Sequence, residues 1–271
     1  FLRYGYAEIK SSPFEYTENI GGLLTDDLNN FSKDIFTFDD KDKKISLRFD
    51  LSAPLARIVS EKYLEFAFPF RRFQIAEVFR NETSKTGRGR YRSFFQGDFD
   101  QIFLGKVPPQ ANSEILQIFC DTMFDLKFKK EQFKINIFNR KIIDGFLNDL
   151  KIKDENQKFK VLRAIDKFDR IDENFIDLLQ KERVDPVSGD KIAGANLSND
   201  QATEVVEFLK LKDLKDLKLE SKNELQKEGV KELEEILEIL NEDKYLDQVQ
   251  VDPSRIRAVS YTHLTLPTIN W

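Results

Sequence analysis

"FRNETSKTGRGRYRSFFQGDFDQ" occupies residues 79–101. It places Arg80, Arg88, Arg90 and Arg92 within thirteen residues of a chain whose formal net charge is −5. The flanks, FRRFQIAEVF (70–79) and FFQGDFDQIF (94–103), have the composition and alternation of two strands, joined by the polar, glycine-containing loop 81–92. Alternate residues of a strand share a face. Counting from Arg80, that face includes Glu82; on the return strand it includes Phe94, Gln96, Asp98 and Asp100. Arginine grips phosphate with two N–H groups and stays charged. A phenylalanine face stacks on a nucleobase, and carboxylates and amides accept from ammonium or amino groups. The loop arginines suit a polyphosphate or a nucleic-acid backbone. Spacing alone fits a solvent-exposed basic hairpin with surface salt bridges equally well.

Working outward, 271 residues allow one large domain or two ordinary ones. Apolar content of 40%, charged content of 34% and a mean hydropathy of −0.49 fit a globular chain with an ample core. No run of eighteen apolar residues occurs, and FLRYGYAEIK lacks the sections of a signal peptide. The chain starts without Met, on what reads as the end of a helix, so further residues are expected upstream. A single cysteine, Cys120, excludes a disulfide framework and a cysteine-based zinc site and points to a reducing, intracellular setting. Within ILQIFCDTM it reads as a buried thiol, with no histidine near to activate it. Overall acidity argues against a nonspecific nucleic-acid coat, but six of the fifteen arginines lie between Arg71 and Arg92.

Residues 5–16 read as turn, strand and proline stop; 35–38 and 45–49 as strands around the polar DDKDKK; 51–66 as a helix with Pro54 in its first turn. Residues 111–126 read as a helix and 132–138 as a strand. Beyond residue 140, apolar residues recur at helical spacing (FKVLRAIDKF, ATEVVEFL, LEEILEIL) and the Lys/Glu runs read as solvated helix faces. The organisation expected is a core over 1–140, a mostly helical insertion over 141–246, a return strand over 247–257 (VQVDPSRIR), and a tail over 258–271. That tail, AVSYTHLTLPTINW, has no charged residue and holds the chain's only His and only Trp. It is set apart as non-native sequence, the alternative being a genuine apolar terminus.

The Walker phosphate loop and G-x-G-x-x-G are absent, and His263 alone cannot support a Ser/His/Asp or Cys/His apparatus or a histidine-based metal site. What remains is the hairpin. FRNE, a loop with GRYR, then SFFQ resembles motif 2 of class II aminoacyl-tRNA synthetases. The form F-R-x-E…G-R-x-R-x-F-x-Q, with an acidic residue four positions after Gln96, resembles the histidyl-tRNA synthetases. GYAEIKSSPFE is similar to that family's motif 1, with Pro13 at the family's proline. SLRFDLSAPLAR resembles its L-R-x-[DE]-x-[ST] segment, and VDPSRIR the lead-in to its R-G-[LF]-x-Y-Y signature.

The resemblance covers nearly all of residues 1–257. It implies an α+β fold: a class II synthetase-type antiparallel sheet flanked by helices, incomplete here, with a mostly helical insertion. It implies a cytoplasmic, non-membrane homodimer, paired through motif 1, that activates histidine with ATP and Mg²⁺ and transfers it to the acceptor end of tRNA(His). It assigns Arg80 to the α-phosphate, Glu82 and Phe94 to adenine, and Arg90 to the outer phosphates. It assigns Asp50 and Ser52 to the ammonium end of histidine, Gln96 and Asp100 to the histidine pocket, and Arg257 to the α-phosphate and carboxylate. Arg88 and Arg92 fall to tRNA, and no metal ligand is implied in the protein.

After Arg257 the family pattern would continue with Gly and paired tyrosines, where this chain reads AVSYTH; motif 3 and an anticodon-binding domain do not follow. The expectation is therefore an enzyme fragment, inactive alone. Three other readings stand beside it. One is the non-catalytic paralogue that regulates ATP phosphoribosyltransferase in histidine biosynthesis, against which Arg80, Glu82, Arg90 and Phe94 are all retained. The second is a prolyl- or threonyl-type class II synthetase, which the 47–57 segment and VDPSRIR oppose. The last is a plain α+β domain with a basic hairpin.

Overall fold

In the computed structural model, residues 1–20, 35–81, 91–168, 175–184, 191–192, 194–242, 245–256 and 268–270 are described. The chain packs as two units, Phe1–Val107 and Pro108–Trp271.

The first unit contains β1 (Ala7–Glu8), β2 (Phe14–Tyr16), α1 (Thr17–Ile20), β3 (Thr37–Asp40), β4 (Lys43–Leu47), α2 (Ser52–Lys62), β5 (Phe70–Phe79) and β6 (Ser93–Ile102). β5 and β6 pair antiparallel from Phe70↔Ile102 to Phe79↔Ser93, and β1 adds in parallel to β5. β2, β4 and β3 form a separate antiparallel sheet. The strands β3 and β4 run further into DDKDKK than composition suggests. Their register sets Asp39 opposite Lys44 and Asp40 opposite Lys43, and cross-strand pairs of opposite sign favour pairing. Lys41 makes the turn at φ 55°.

The β5–β6 hairpin has an apolar face and a polar face. Phe73 and Phe99 lie on the first, where Phe1 packs 5.1 and 4.9 Å from their ring centres and Tyr6 meets Phe99. The second carries Arg72, Gln74, Ala76 and Val78 of β5 against Phe94, Gln96, Asp98 and Asp100 of β6. On β5 this polar face is the more deeply buried: Arg72, Gln74 and Val78 are buried, while Ile75 is exposed on the other side. Buried polar side chains require partners, and those partners build the candidate site.

The second unit contains α3 (Pro109–Asp125), β7 (Lys134–Ile137), α4 (Arg140–Asp149), α5 (Glu155–Ile165), α6 (Phe175–Gln180), β8 (Arg183–Val184), β9 (Lys191–Ile192), α7 (Asn199–Leu209), α8 (Leu214–Glu220), α9 (Glu224–Glu242), β10 (Val249–Val251) and β11 (Thr268–Asn270). β7 is central to a small sheet, with β10 parallel on one side and β11 antiparallel on the other. β11 lies within the tail set apart from residue 258; residues 258–267 and 271 are outside the described residues. Side-chain caps start α4, α5, α7, α8 and α9: Asn139, Asp154, Ser198, Asp213 and Asn223 each accept from a backbone N–H of the first turn. α4 and α9 cross closely at two glycines. A Cβ on Gly145 would stand 2.6 Å from Gln226 Cγ, and one on Gly229 would stand 2.7 Å from Ile142 Cγ1.

The boundary expected at residue 140 follows a change in sequence texture, whereas the packing boundary falls after Val107. The reason is α3: its Leu116, Cys120 and Met123 share one apolar core with Ile135 and Ile137 of β7 and with helices α4 to α9. Cys120 is buried there, which pushes its thiol up to about 12, so it is inert at neutral pH.

Candidate active site

The polar face of the hairpin is closed by the segment between β4 and α2. Arg48 ties that segment down, its Nε donating to Glu77 O at 2.7 Å and its Nη1 to Ser11 O at 2.9 Å. Phe79 N donates to Arg48 O, continuing the attachment. Asp50 then turns the chain into α2 by accepting from Ala53 N at 3.0 Å. This places Phe49, Asp50 and Ser52 beside the hairpin, although they lie far from it in sequence.

Arg80 is held between two aromatic rings. Its guanidinium carbon lies 4.5 Å from the centre of Phe49 and 5.0 Å from the centre of Phe94. Its hydrogen bonds, Nε to Phe49 O and Nη2 to Gln96 Oε1, are both long at 3.5 Å. Gln96 Nε2 donates to Asp98 Oδ1 at 2.8 Å, and Ser52 Oγ lies 3.4 Å from Asp98 Oδ2. Arg72 Nη2 approaches Asp100 Oδ2 to 2.6 Å, a close charge contact rather than a well-aligned hydrogen bond, and donates to Leu51 O at 3.2 Å. An open cavity of about 490 Å³ runs beside α2, bordered by Ser52, Leu55, Val59, Tyr63, Asp100 and Ile102.

The electrostatics follow from crowding three carboxylates around two guanidinium groups. Burial pushes the Asp50 carboxyl above its usual range; the Ala53 N–H opposes this and neighbouring Asp98 reinforces it. Burial also pushes Asp100 up, against Arg72, with Asp98 and Asp50 adding to the rise. Such a site offers acceptor oxygens to an ammonium or an imidazole N–H, and at Arg80 a charge fixed between rings for an anion.

Of the residues singled out in the sequence, Arg80, Phe94, Gln96, Asp50, Ser52 and Asp100 come together on this face. Arg92 lies outside the cluster: its guanidinium is 6.0 Å from the ring centre of Phe36, and its carbonyl accepts from Arg80 N. Glu82, Arg88, Arg90 and Arg257 are outside the described residues. Two members of the cluster are missed by sequence reasoning. Alternation puts Asp98 on the right face without giving it a role, yet it links Gln96 to Ser52. Arg72 is not among the candidates, although it is an even number of residues from Arg80 and directly opposite Asp100.

A family model described as histidyl-tRNA synthetase matches residues 1–264. The chain belongs to the histidyl-tRNA synthetase family. A histidine–tRNA ligase of Pelagibacter ubique is 46% identical over 265 residues, covering 96% of this chain and 56% of that protein. One from Bradyrhizobium diazoefficiens is 37% identical, covering 95% and 53%. The chain thus spans about half the length of these relatives. Among solved structures, a histidyl-tRNA synthetase from Nostoc sp. PCC 7120 covers 99% of the chain and 56% of its own at TM-score 0.72 and 22% identity. A protein from Bacillus halodurans, described as an ATP phosphoribosyltransferase regulatory subunit/histidyl-tRNA synthetase, covers 97% of the chain and 63% of its own at TM-score 0.74 and 19% identity. These structures show the fold, the α+β architecture of histidyl-tRNA synthetases. The same family membership sets aside the reading of the chain as a plain α+β domain.

Proposed function

We propose that this chain is the part of a histidine–tRNA ligase that holds histidine and the α-phosphate of ATP during adenylate formation. The supporting observation is the arrangement of Arg80 between Phe49 and Phe94, directly beside a wall of Gln96, Asp98, Asp50 and Asp100. In this reaction the histidine carboxylate attacks the α-phosphorus and pyrophosphate leaves. Two anions must meet, so a cation fixed at the point of attack lowers the barrier more than one that must be ordered during the reaction. Arg80 takes that role, and Arg257 the matching one on the carboxylate. Phe94 keeps one face on Arg80 and offers the other to adenine; Glu82 and Arg90 attend the adenine and outer phosphates. Asp50, Ser52 and Asp98 receive the ammonium, and Gln96 and Asp100 the imidazole. Mg²⁺ arrives with ATP as part of the substrate. Arg88 and Arg92 serve the tRNA acceptor end, and the surface around motif 1 pairs two copies in the cytoplasm.

The 271 residues are proposed to bind both small substrates without completing the reaction, since their relatives are about twice as long. Calorimetric titration of the chain with L-histidine, with L-proline and L-threonine as controls, tests the pocket; equal affinity for the three amino acids sinks it. Histidine-dependent ATP–pyrophosphate exchange by this chain at the rate of a full-length relative would overturn the second statement. The regulatory reading, for which the likeness to the Bacillus halodurans protein speaks, predicts histidine binding without ATP binding. Titration with Mg·ATP separates the two.

A further inference from the structure

Arg48 and Arg72 are both buried in the first unit, but they are used differently. Arg48 donates to backbone carbonyls and fastens loops. Arg72 is 1% exposed, reaches one carbonyl at Leu51, and otherwise faces carboxylates. Among the described residues, its Nε and Nη1 have no hydrogen-bond partner. Burying a guanidinium with two idle donors is costly, and a purely structural position would be filled at lower cost by an apolar side chain. The carboxylate it touches, Asp100, is by contrast 34% exposed and borders the open cavity beside α2. On one and the same face, the cation is thus buried and the anion reaches the cavity.

We infer that Arg72 is a positioning residue of the amino-acid pocket: buried beside Asp100 on the same sheet face, it holds the Asp100 carboxylate in place, so that this wall accepts a hydrogen bond from the ligand's nitrogen. The identity of that ligand rests on the histidine reading; the coupling of Arg72 to Asp100 does not. The groups acting on Asp100 are Arg72 from β5, Asp98 from its own strand, and Asp50 from the segment entering α2. Arg80 acts in turn on Asp50. Only Arg72 opposes the effects of burial and of the two neighbouring carboxylates on Asp100. Without it, Asp100 takes up a proton at higher pH, and a protonated carboxyl is a poor acceptor for an imidazole N–H.

The test compares wild type with Arg72→Met, Arg72→Gln, Arg72→Lys, Asp100→Asn and the double variant Arg72→Met/Asp100→Asn. Histidine affinity is measured by calorimetry at pH 6 and pH 8, and the Asp100 carboxyl is titrated by ¹³C NMR in the ligand-free chain. Loss of the cation should weaken histidine binding about tenfold, the scale of one charge-assisted hydrogen bond, with the larger deficit at pH 6. The ligand's own titration cancels in the ratio to wild type. The Asp100 midpoint should rise, Arg72→Lys should restore most of both properties, and the double variant should bind no more weakly than Asp100→Asn. Where Arg72→Met fails to fold, Arg72→Gln carries the same measurement, since it keeps a polar donor and removes the charge. A folded Arg72→Met or Arg72→Gln chain with wild-type affinity at both pH values, or an unmoved Asp100 midpoint, overturns the inference. If the wild-type chain does not bind histidine, the histidine reading fails, and the Asp100 midpoint alone decides whether Arg72 has this role.

Discussion

Replacing Phe94 with alanine should weaken Mg·ATP binding by the chain about 30-fold. The magnitude comes from how Arg80 is held. Both of its side-chain hydrogen bonds are 3.5 Å long and contribute little. The rings of Phe49 and Phe94, at 4.5 and 5.0 Å, carry the orientation. One cation–π contact at a partly buried site is worth about 1 kcal/mol. An unrestrained arginine also regains rotamer freedom worth up to about 2 kcal/mol, of which losing one of two rings releases roughly half. The sum, about 2 kcal/mol, is roughly 30-fold in Kd. Calorimetry at fixed ionic strength on wild type, Phe94→Ala and Phe94→Leu reads it; the leucine keeps apolar cover but has no aromatic face. Phe49→Ala separates two roles: it should loosen Arg80 at a similar cost while keeping the adenine platform, so any further loss in Phe94→Ala measures stacking on adenine. A folded Phe94→Ala chain that binds Mg·ATP within about threefold of wild type refutes the account of how Arg80 is positioned.

Three further outcomes are expected. Gly229→Ala should lower stability in denaturant by up to about 2 kcal/mol: overpacking against Ile142 costs about 1–3 kcal/mol, set against the roughly 1 kcal/mol that alanine gains over glycine in an open helix. Asp50→Asn keeps an oxygen for Ala53 N–H and removes a charge. Because Asp50 and Asp100 titrate above their unfolded values, they favour folding as pH falls toward about 4, and that contribution is lost as pH rises through their folded values. Asp50→Asn should therefore reduce that pH dependence and raise the denaturant midpoint at pH 8. Asp252 has the opposite sign: burial alone would push it up, but Lys212 and Ser254 outweigh that and hold it low. Its contribution is present above about pH 4 and lost as pH falls through the lower folded value, and Asp252→Ala should cost about 2 kcal/mol at pH 7, chiefly through the buried bonds to Ser254.

The hairpin and most of its site are legible because a strand's two-residue period is written directly in the sequence. Phe94, Gln96, Asp98 and Asp100 share a face whatever surrounds them. What alternation does not reveal is which face is buried. Polar residues ordinarily mark the solvent side, and here the polar face of β5 is the inner one, which is why Arg72 does not stand out in the sequence. Asp50 and Ser52 can be placed by motif resemblance, but their approach to Asp98 depends on Arg48 tying their segment across the hairpin. The packing boundary at Val107 is hidden for a related reason. The pattern of α3 shows that it has an apolar face without saying what covers it.

The clamp made by Arg48 also bears on the order in which the first unit assembles. β5 and β6 are neighbours in the chain and close a short loop. The contacts that complete the site span much more sequence: 37 residues from Arg48 to Ser11, 46 from Ser52 to Asp98 and 63 from Ser11 to Gln74. Closing longer loops costs more chain entropy and slows formation. The hairpin is therefore expected to form first as a half-built cleft, with its second wall docking later. Substrate affinity gained during refolding should lag behind strand formation, which makes histidine binding a kinetic marker for the last step of folding.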